Sequence, residues 1–178
     1  VESIYKFLDA KVEGLPSGWG KIKFGMQLAA FRNFFYTDYL GPGGKLLGLP
    51  ETEITLAKIA NTDVRDVTTG KALREKGTEP IERYEFYFYR DKLFMIKVFF
   101  NEQKGGTPWD LFVDERNRIY GPPSKVSETS GGGVDEKWAI WENEDVRLKV
   151  VYHFGKYDLT VYKKSVMAEV EKKAEEGG

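Results

Sequence analysis

The sequence of 178 residues contains a single histidine and no cysteine, so few side chains could perform metal or nucleophilic chemistry. A histidine metal site or a Ser-His-Asp triad needs an imidazole beside partners from other parts of the fold. The single imidazole belongs to His153, which shares its strand parity with Arg147 and Lys149. We therefore expect a surface histidine on a basic strand face rather than a catalytic or metal-ligating residue.

Two acidic pairs and two glycine clusters are the other candidates for chemistry. Asp110 and Asp114 have the i, i+4 spacing of a solvated helix side, and Glu142 and Glu144 fall in a predicted turn. Paired carboxylates work as acid and base when one of them is buried, which this placement disfavours. A phosphate loop requires Gly-Lys-Ser/Thr at the start of a helix, and neither "GPGGK" nor "SGGG" continues that way. Both clusters are predicted to be ordinary loops.

The composition excludes several classes of protein. With 27 Lys+Arg against 28 Asp+Glu, the chain lacks the basic surplus of a general polyanion binder. The absence of cysteine excludes disulfides, thiolate catalysis and cysteine zinc sites. No apolar run of about 18 residues is present, so we expect no membrane-spanning helix. The sequence begins at Val1 without Met or an apolar leader, from which we expect a mature exported protein.

The first half of the chain reads as one helix followed by strands. Leu28, Phe31 and Phe35 form a helical stripe, and Gly41-Pro42 predicts the end of that helix. The other elements predicted in this half are a strand at 4–8, a loop at 13–20, a strand at 53–60, a polar insertion at 61–80, and a hairpin at 82–100 that turns at Arg90-Asp91-Lys92.

The second half repeats this order. Thr107 and Pro108 predict the start of a second helix, and Gly121-Pro122-Pro123 predicts its end. Strands are predicted at 137–141, 146–154 and 157–163, with turns at "NEDV" (143–146) and "GKY" (155–157). A charged terminal helix with the apolar stripe Val166, Met167 and Val170 follows. The segments "YLGPG" and "IYGPP" thus mark corresponding joints, and the sequence predicts tandem α-β-β-β units.

We predict an α+β fold in one domain, with tandem units forming an antiparallel sheet of six or seven strands and the two helices packed on one face. The first unit covers 18–101 with its insertion near 61–80, the second covers 102–164, and a C-terminal helix covers 165–178. The predicted core consists of Leu28, Phe31, Phe35, Phe86, Phe88, Trp109, Phe112, Ile140, Leu148, Val150, Leu159 and Val161.

The opposite sheet face is the candidate binding surface, because alternation along the strands places aromatic and basic side chains there. Its predicted residues are Tyr87, Tyr89, Trp141, Arg147, Lys149, His153 and Tyr162. Amphipathic aromatics beside cations are typical of protein-binding hot spots. The insertion, the terminal helix or a second subunit could instead cover this face. RNA binding is disfavoured, because "IKVFFNEQ" lacks the aromatic and glycine pattern of an RNA-binding strand.

The motif "KIKFGMQLAAFRNFF…YLGPG" resembles the opening of the SmpA/BamE-like family of bacterial envelope lipoproteins. Gly25-Met26 match the family's Gly-Met before the first helix, and Gly41-Pro42-Gly43 match its stop. Gly121-Pro122-Pro123 followed by "WAIW" is similar, and the tandem arrangement also looks like the β-lactamase inhibitor protein fold. The resemblance implies an exported, non-enzymatic protein that works through protein contacts.

We therefore expect a binding or scaffold protein of the bacterial cell envelope, periplasmic or otherwise extracytoplasmic, without a cofactor or a metal. Its partner would be another envelope protein rather than a nucleic acid, and membrane contact would require a lipid anchor, for which this sequence has no cysteine. Two alternatives stay open. One is a carrier of a small apolar ligand held between sheet and helices, and the other is a hydrolase or transferase without a recognisable motif.

Overall fold

Eight antiparallel strands form one sheet in this computed structural model, which describes residues 18–19, 22–33, 39–47, 53–60, 81–100, 109–127, 136–153 and 156–177. The strands are β1 (Gly18–Trp19), β2 (Ile22–Lys23), β3 (Tyr39–Pro42), β4 (Ile54–Ala60), β5 (Ile81–Tyr89), β6 (Lys92–Phe100), β7 (Lys125–Val126), β8 (Glu136–Glu142), β9 (Val146–His153) and β10 (Lys156–Lys163). The helices are α1 (Leu28–Arg32), α2 (Trp109–Tyr120) and α3 (Lys164–Gly177), and a 3-10 turn covers Gly44–Leu47. The α+β class is confirmed.

The sheet joins two antiparallel meanders at its centre. Its strand order is β3-β4-β5-β6-β10-β9-β8-β7, while β1 and β2 form a separate two-stranded ribbon. The central pair, β6 and β10, aligns Val98 with Leu159 and Ile96 with Val161. These four side chains are fully buried, so the middle of the sheet is also the middle of the core.

Helices α1 and α2 pack on the same face of the sheet. The Phe31 ring of α1 lies 4.7 Å from the Phe86 ring, centroid to centroid. The Phe112 ring of α2 lies 4.1 Å from that of Tyr157 in a stacked arrangement. Both helices contribute to one cluster with Leu148, and we name this side the helix face. Ring pairs at these separations combine apolar burial with favourable edge and stacking contacts.

Helix α3 packs on the opposite face and covers the end of that face where Tyr87, Tyr89 and Met95 lie. The cluster beneath it consists of Ile54, Leu56, Tyr87, Tyr89, Phe94, Met95, Met167 and Val170. The predicted apolar stripe of this helix is therefore confirmed. Lys173 Nζ of α3 also lies 2.8 Å from Glu53 Oε1 beside β4. None of the helices that the structure describes is long and apolar enough to cross a membrane.

The similar segments "YLGPG" (39–43) and "IYGPP" (119–123) have different structures, and the predicted helix end at Gly41-Pro42 is wrong. Helix α1 ends at Arg32, and Tyr39–Pro42 forms the edge strand β3 against β4. Proline lacks an N–H group, but an edge strand has one side that needs no donor. At the second segment, α2 does end at Tyr120. There Gly121 adopts φ +81° and its N–H donates to the Asn117 carbonyl at 2.9 Å, as a helix cap does.

The predicted hairpin is confirmed, with β5 and β6 joined by a two-residue turn. Arg90 and Asp91 have φ values of 49° and 66°, which is typical of the turn type that matches strand twist. The strands predicted near 53–60, 137–141, 146–154 and 157–163 correspond to β4, β8, β9 and β10. The strand at 4–8, the insertion at 61–80, Phe35, Thr107 and Pro108 lie outside the described residues.

Candidate protein-binding face of the sheet

Two adjoining rows of side chains cross five strands on the part of the sheet face that α3 leaves uncovered. One row, read from β5 through β6, β10, β9 and β8, consists of Arg83, Phe99, Asp158, Val151 and Trp138. The next row consists of Glu85, Lys97, Thr160, Lys149 and Ile140. We name these ten residues the charged sheet face. Four strand spacings separate its ends, which is roughly 19 Å.

At one end of the charged sheet face, an arginine stacks on a phenylalanine. The guanidinium carbon of Arg83 lies 3.8 Å from the Phe99 ring centroid, and its Nε lies 3.8 Å from Glu85 Oε2. Glu85 is buried, and its other carboxylate oxygen accepts a 2.9 Å hydrogen bond from the Tyr87 hydroxyl. Burial, followed by the charge of Glu85, raises the pKa of Tyr87 above its ordinary value. This network holds Arg83 flat against the ring.

At the other end, a lysine approaches a tryptophan. Lys149 Nζ lies 5.7 Å from the Trp138 ring centroid, within cation–π range. The Trp138 ring is half-buried. Its backbone N–H donates to Ser127 Oγ at 2.9 Å. Both ends of the surface therefore combine a cation with a partly exposed aromatic ring.

A partly desolvated carboxylate, Asp158, lies between these two ends. Its cross-strand neighbours are Phe99 on β6 and Val151 on β9, which limit its access to water. Burial raises the pKa of Asp158 above its ordinary value, while the positive charges of Lys97 and Lys149 and the imidazole of His153 act in the opposite direction and Glu136 adds to the increase. The ionised carboxylate thus costs stability at neutral pH.

His153 lies at the exposed rim of this surface. Its Nδ1 is 3.3 Å from Glu136 Oε2, and both side chains are about half exposed. Among the residues that the structure describes, no group of three or more His, Asp or Glu side chains is placed to hold a metal ion. The chemistry that the surface offers is charge and ring contact.

The structure separates the predicted binding residues into three groups. Arg147, Lys149 and His153 lie on the side of the sheet that carries the charged sheet face, as predicted. Tyr162 lies on the same side and is half-buried against the cluster beneath α3. Tyr87 and Tyr89 share the face but are only 1% and 4% exposed beneath α3. The exposure that the prediction required of these two tyrosines is therefore wrong.

Trp141 is also misplaced by the prediction, because it belongs to the helix face. It is paired with Leu148 across β8 and β9, and directly paired residues point to the same side of a sheet. The ring is 2% exposed, its Nε1–H donates to the Gly121 carbonyl at 2.8 Å, and its centroid lies 6.0 Å from that of Tyr120. Ile140 is buried as expected, but it lies on the side of the charged sheet face, because it is paired with Lys149.

The prediction missed Arg83, Lys97, Phe99, Trp138 and Asp158. The available signal was register: the turn predicted at 143–146 pairs Glu142 with Arg147 and therefore places Trp138 on the side of Lys149. The pairing of β6 with β10, which brings Phe99 beside Asp158, has no local signal because 59 residues separate them along the chain.

The fold and this surface together define an α+β protein with one large antiparallel sheet, half of one face of which presents aromatic rings and charges. The TP0088 domain model matches residues 17–172, so the chain belongs to that family. A DUF4309 family protein (YjgB) from Bacillus subtilis has 15% sequence identity with this chain, covering 53% of this chain and 72% of its own, at a TM-score of 0.31. No curated protein matches the chain.

The two tryptophans of β8 test which side of the sheet is buried. We expect Trp141→Ala to lower the free energy of unfolding by about 3–5 kcal/mol, because it opens a cavity and leaves the Gly121 carbonyl unpaired. Trp138→Ala is the matched control and should cost about 1 kcal/mol, because its ring already contacts water. Urea denaturation monitored by circular dichroism measures both. Equal losses would contradict the assignment of the faces.

The desolvation of Asp158 predicts a pH-dependent effect of Asp158→Asn. Because the pKa is raised, the folded chain binds the proton more tightly than the unfolded chain, and ionisation lowers stability as the pH rises through that range. The variant should therefore melt at a higher temperature than the wild type at pH 7. The difference should shrink towards zero as the pH falls below about 4, the ordinary aspartate pKa, where both states are protonated. Thermal melts across this range test it, with the exposed Asp114→Asn as control.

Proposed function

We propose that this protein is a non-enzymatic binding or scaffold protein that docks a protein partner on the charged sheet face. One observation carries the proposal. Two cation–ring contacts, Arg83 with Phe99 and Lys149 with Trp138, flank a carboxylate that is already partly stripped of water. A neutral residue at position 158 would make the fold more stable than the buried carboxylate does. Retention of Asp158 is therefore consistent with a role in contact with another molecule.

The proposed surface combines two contributions to binding. Phe99 and Trp138 would supply apolar area, and their rings are partly exposed in the free protein. Arg83 is stacked on the ring and ion-paired with Glu85 in advance, so it would lose little conformational freedom when a partner covers it. The lysines and Asp158 would set orientation, because opposite charges must face them across the interface.

Neither alternative function has an observation that favours it. A carrier of a small apolar ligand needs an apolar space between the sheet and a helix, and beneath α1 that space is filled, because the Phe31 ring lies 4.7 Å and 5.2 Å from those of Phe86 and Phe88. A hydrolase or transferase would depend on His153, whose contact with Glu136 lies on an exposed rim rather than in a cleft. The broad cross-strand surface suits a macromolecular contact better.

We further propose that the chain arose from two tandem units, 18–101 and 102–164, followed by the terminal helix 165–178. The sheet order supports this, because β3-β4-β5-β6 and β7-β8-β9-β10 enter the sheet from opposite edges and meet at β6 and β10. Each set of four strands also follows a helix on the same face. An alignment of the two halves in more closely related chains would test this proposal, and it would fail if the halves aligned no better than shuffled sequences.

The proposed location is the bacterial cell envelope, and the basis for it is the sequence resemblance to SmpA/BamE-like and β-lactamase inhibitor protein-like proteins. In the structure Gly25, at φ +90°, turns the chain between β2 and α1. Fractionation of cells that produce the native gene product is the test. Recovery with the cytoplasmic fraction would contradict this location.

A photocrosslinking amino acid at position 160, in the middle of the charged sheet face, tests the docking proposal in cells of the source organism. We expect a covalent adduct with a partner protein, and the same probe at the exposed Leu111 of α2 is the matched control. Adding Arg83→Ala and Trp138→Ala should reduce the adduct by at least about tenfold, because hot-spot residues contribute about 2 kcal/mol or more each. Equal adducts at positions 160 and 111 would contradict the proposal.

A further inference from the structure

A second region of the molecule, at the other end of strands β5, β6 and β10 from the charged sheet face, has the features of a ligand site. It is a groove of about 370 Å³ between the turn of the β5–β6 hairpin and the start of α3. We name it the hairpin groove, and it is lined by Tyr89, Arg90, Lys92, Leu93, Lys163, Val166 and Glu169, with Gly25 at its edge. A volume in this range fits a small molecule or a lipid head group rather than a protein segment.

The charges around the hairpin groove are unbalanced. Three cations, Arg90, Lys92 and Lys163, face a single carboxylate, that of Glu169. Arg90 lies 3.4 Å from Glu169 in an exposed ion pair. Lys92 and Lys163 form no ion pair with any residue that the structure describes. The lining therefore carries a surplus of two positive charges in a concave space, where they act together on one ligand.

The wall of the groove contains a polar group that is buried without a partner. Tyr89 is 4% exposed, and its hydroxyl makes no hydrogen bond within the described part of the chain. A buried hydroxyl that lacks a partner is destabilising. The guanidinium carbon of Arg90 lies 5.0 Å from the ring of Tyr89, and Lys173 Nζ lies 6.0 Å from it. An acceptor bound here would meet both a phenolic donor and cations.

The turn itself shows that Arg90 is not placed there by backbone preference. Both central residues of the turn have positive φ, a conformation for which Asn-Gly is strongly preferred over Arg-Asp. Asp91 has a structural role, because its carboxylate accepts the Leu28 N–H at 3.3 Å at the start of α1. Among the residues that the structure describes, Arg90 contacts the exposed Glu169 and the ring of Tyr89. Strain of this kind is characteristic of residues kept for function.

The rest of the groove is apolar and held in place by the backbone. Leu93 and Val166 line it between the cations. The Leu93 N–H donates to the Met26 carbonyl at 2.9 Å, and the Leu93 carbonyl accepts the Gly25 N–H at 2.8 Å. The groove is thus formed before any ligand arrives, and a ligand would need an anionic group joined to an apolar body.

We propose that the hairpin groove binds a phosphate monoester, with the phosphate held by Arg90, Lys92 and Lys163 and the organic part resting against the partly exposed Val166. A phosphate monoester carries about −1.5 to −2 charges at pH 7, which matches the surplus of the lining. A carboxylate would neutralise only half of it. The phosphate could belong to a soluble ester or to the head group of a phosphatidic acid, and both present the same group to the site.

Titration of the whole chain with phenyl phosphate, followed by NMR, tests the soluble source. We expect saturable binding with shifts centred on Leu93 and Val166. Lys92→Gln combined with Lys163→Gln should weaken it by about tenfold or more per charge removed. Tyr89→Phe should weaken it several-fold while leaving the fold intact, because that change removes only the hydroxyl. Lys149→Gln, a lysine of the charged sheet face, is the matched control and should change nothing.

Flotation with vesicles tests the lipid source. Vesicles of phosphatidylcholine containing one-fifth phosphatidic acid should bind the chain, and vesicles of phosphatidylcholine alone should not. Binding to vesicles but not to phenyl phosphate, with the same dependence on Lys92 and Lys163, would assign the site to a lipid. No saturable binding of phenyl phosphate below about 10 mM together with no flotation would overturn the proposal. So would equal losses in the groove variants and in Lys149→Gln.

Discussion

The pairing of β6 with β10 is the contact on which the rest of the structure depends. It joins two meanders that would otherwise each end in an unpaired strand, and an unpaired apolar strand invites association with other chains. Because side chains alternate across a strand, the same register also assigns every neighbouring residue to a face. Val98 opposite Leu159 belongs to the core, and Phe99 opposite Asp158 belongs to the surface. One alignment therefore builds the core and the candidate site together.

The second constraint is the length of α3. Its apolar stripe, Met167 and Val170, covers the end of the face where Tyr87, Tyr89 and Met95 lie, and the other end is left to Lys97, Phe99 and Asp158. Along β6 the side chains of this face therefore change from Met95 to Lys97 at the boundary of the helix. Apolar side chains thus lie beneath α3 and charged ones beyond it, as expected when burial decides which side chains a strand can carry.

The elements that depend on short stretches of sequence were predicted correctly. The hairpin at Arg90-Asp91, strands β8 to β10 and the stripe of α3 all follow from alternation, turn residues and helical spacing within short windows. Gly41-Pro42 misled because Gly and Pro are common both after helices and in edge strands, and only the pairing of β3 with β4 distinguishes them. For Trp141 the information was present in the turn at 143–146, which fixes its register against Leu148.

The candidate site could be predicted only in part, and the reason is physical. Arg147, Lys149 and His153 lie on one strand, so their shared face follows from parity. The row from Arg83 to Trp138 draws one residue from each of five strands, and such a row exists only after long-range pairing has formed. Whether an aromatic residue of this face is buried or exposed therefore depends on which part of the face α3 covers. Tyr87 and Phe99 differ in what covers them, since Tyr87 lies under α3 and Phe99 lies under the guanidinium of Arg83. A single guanidinium shields a ring from solvent less than a packed helix does, so the Phe99 ring is more accessible to a partner than the Tyr87 ring.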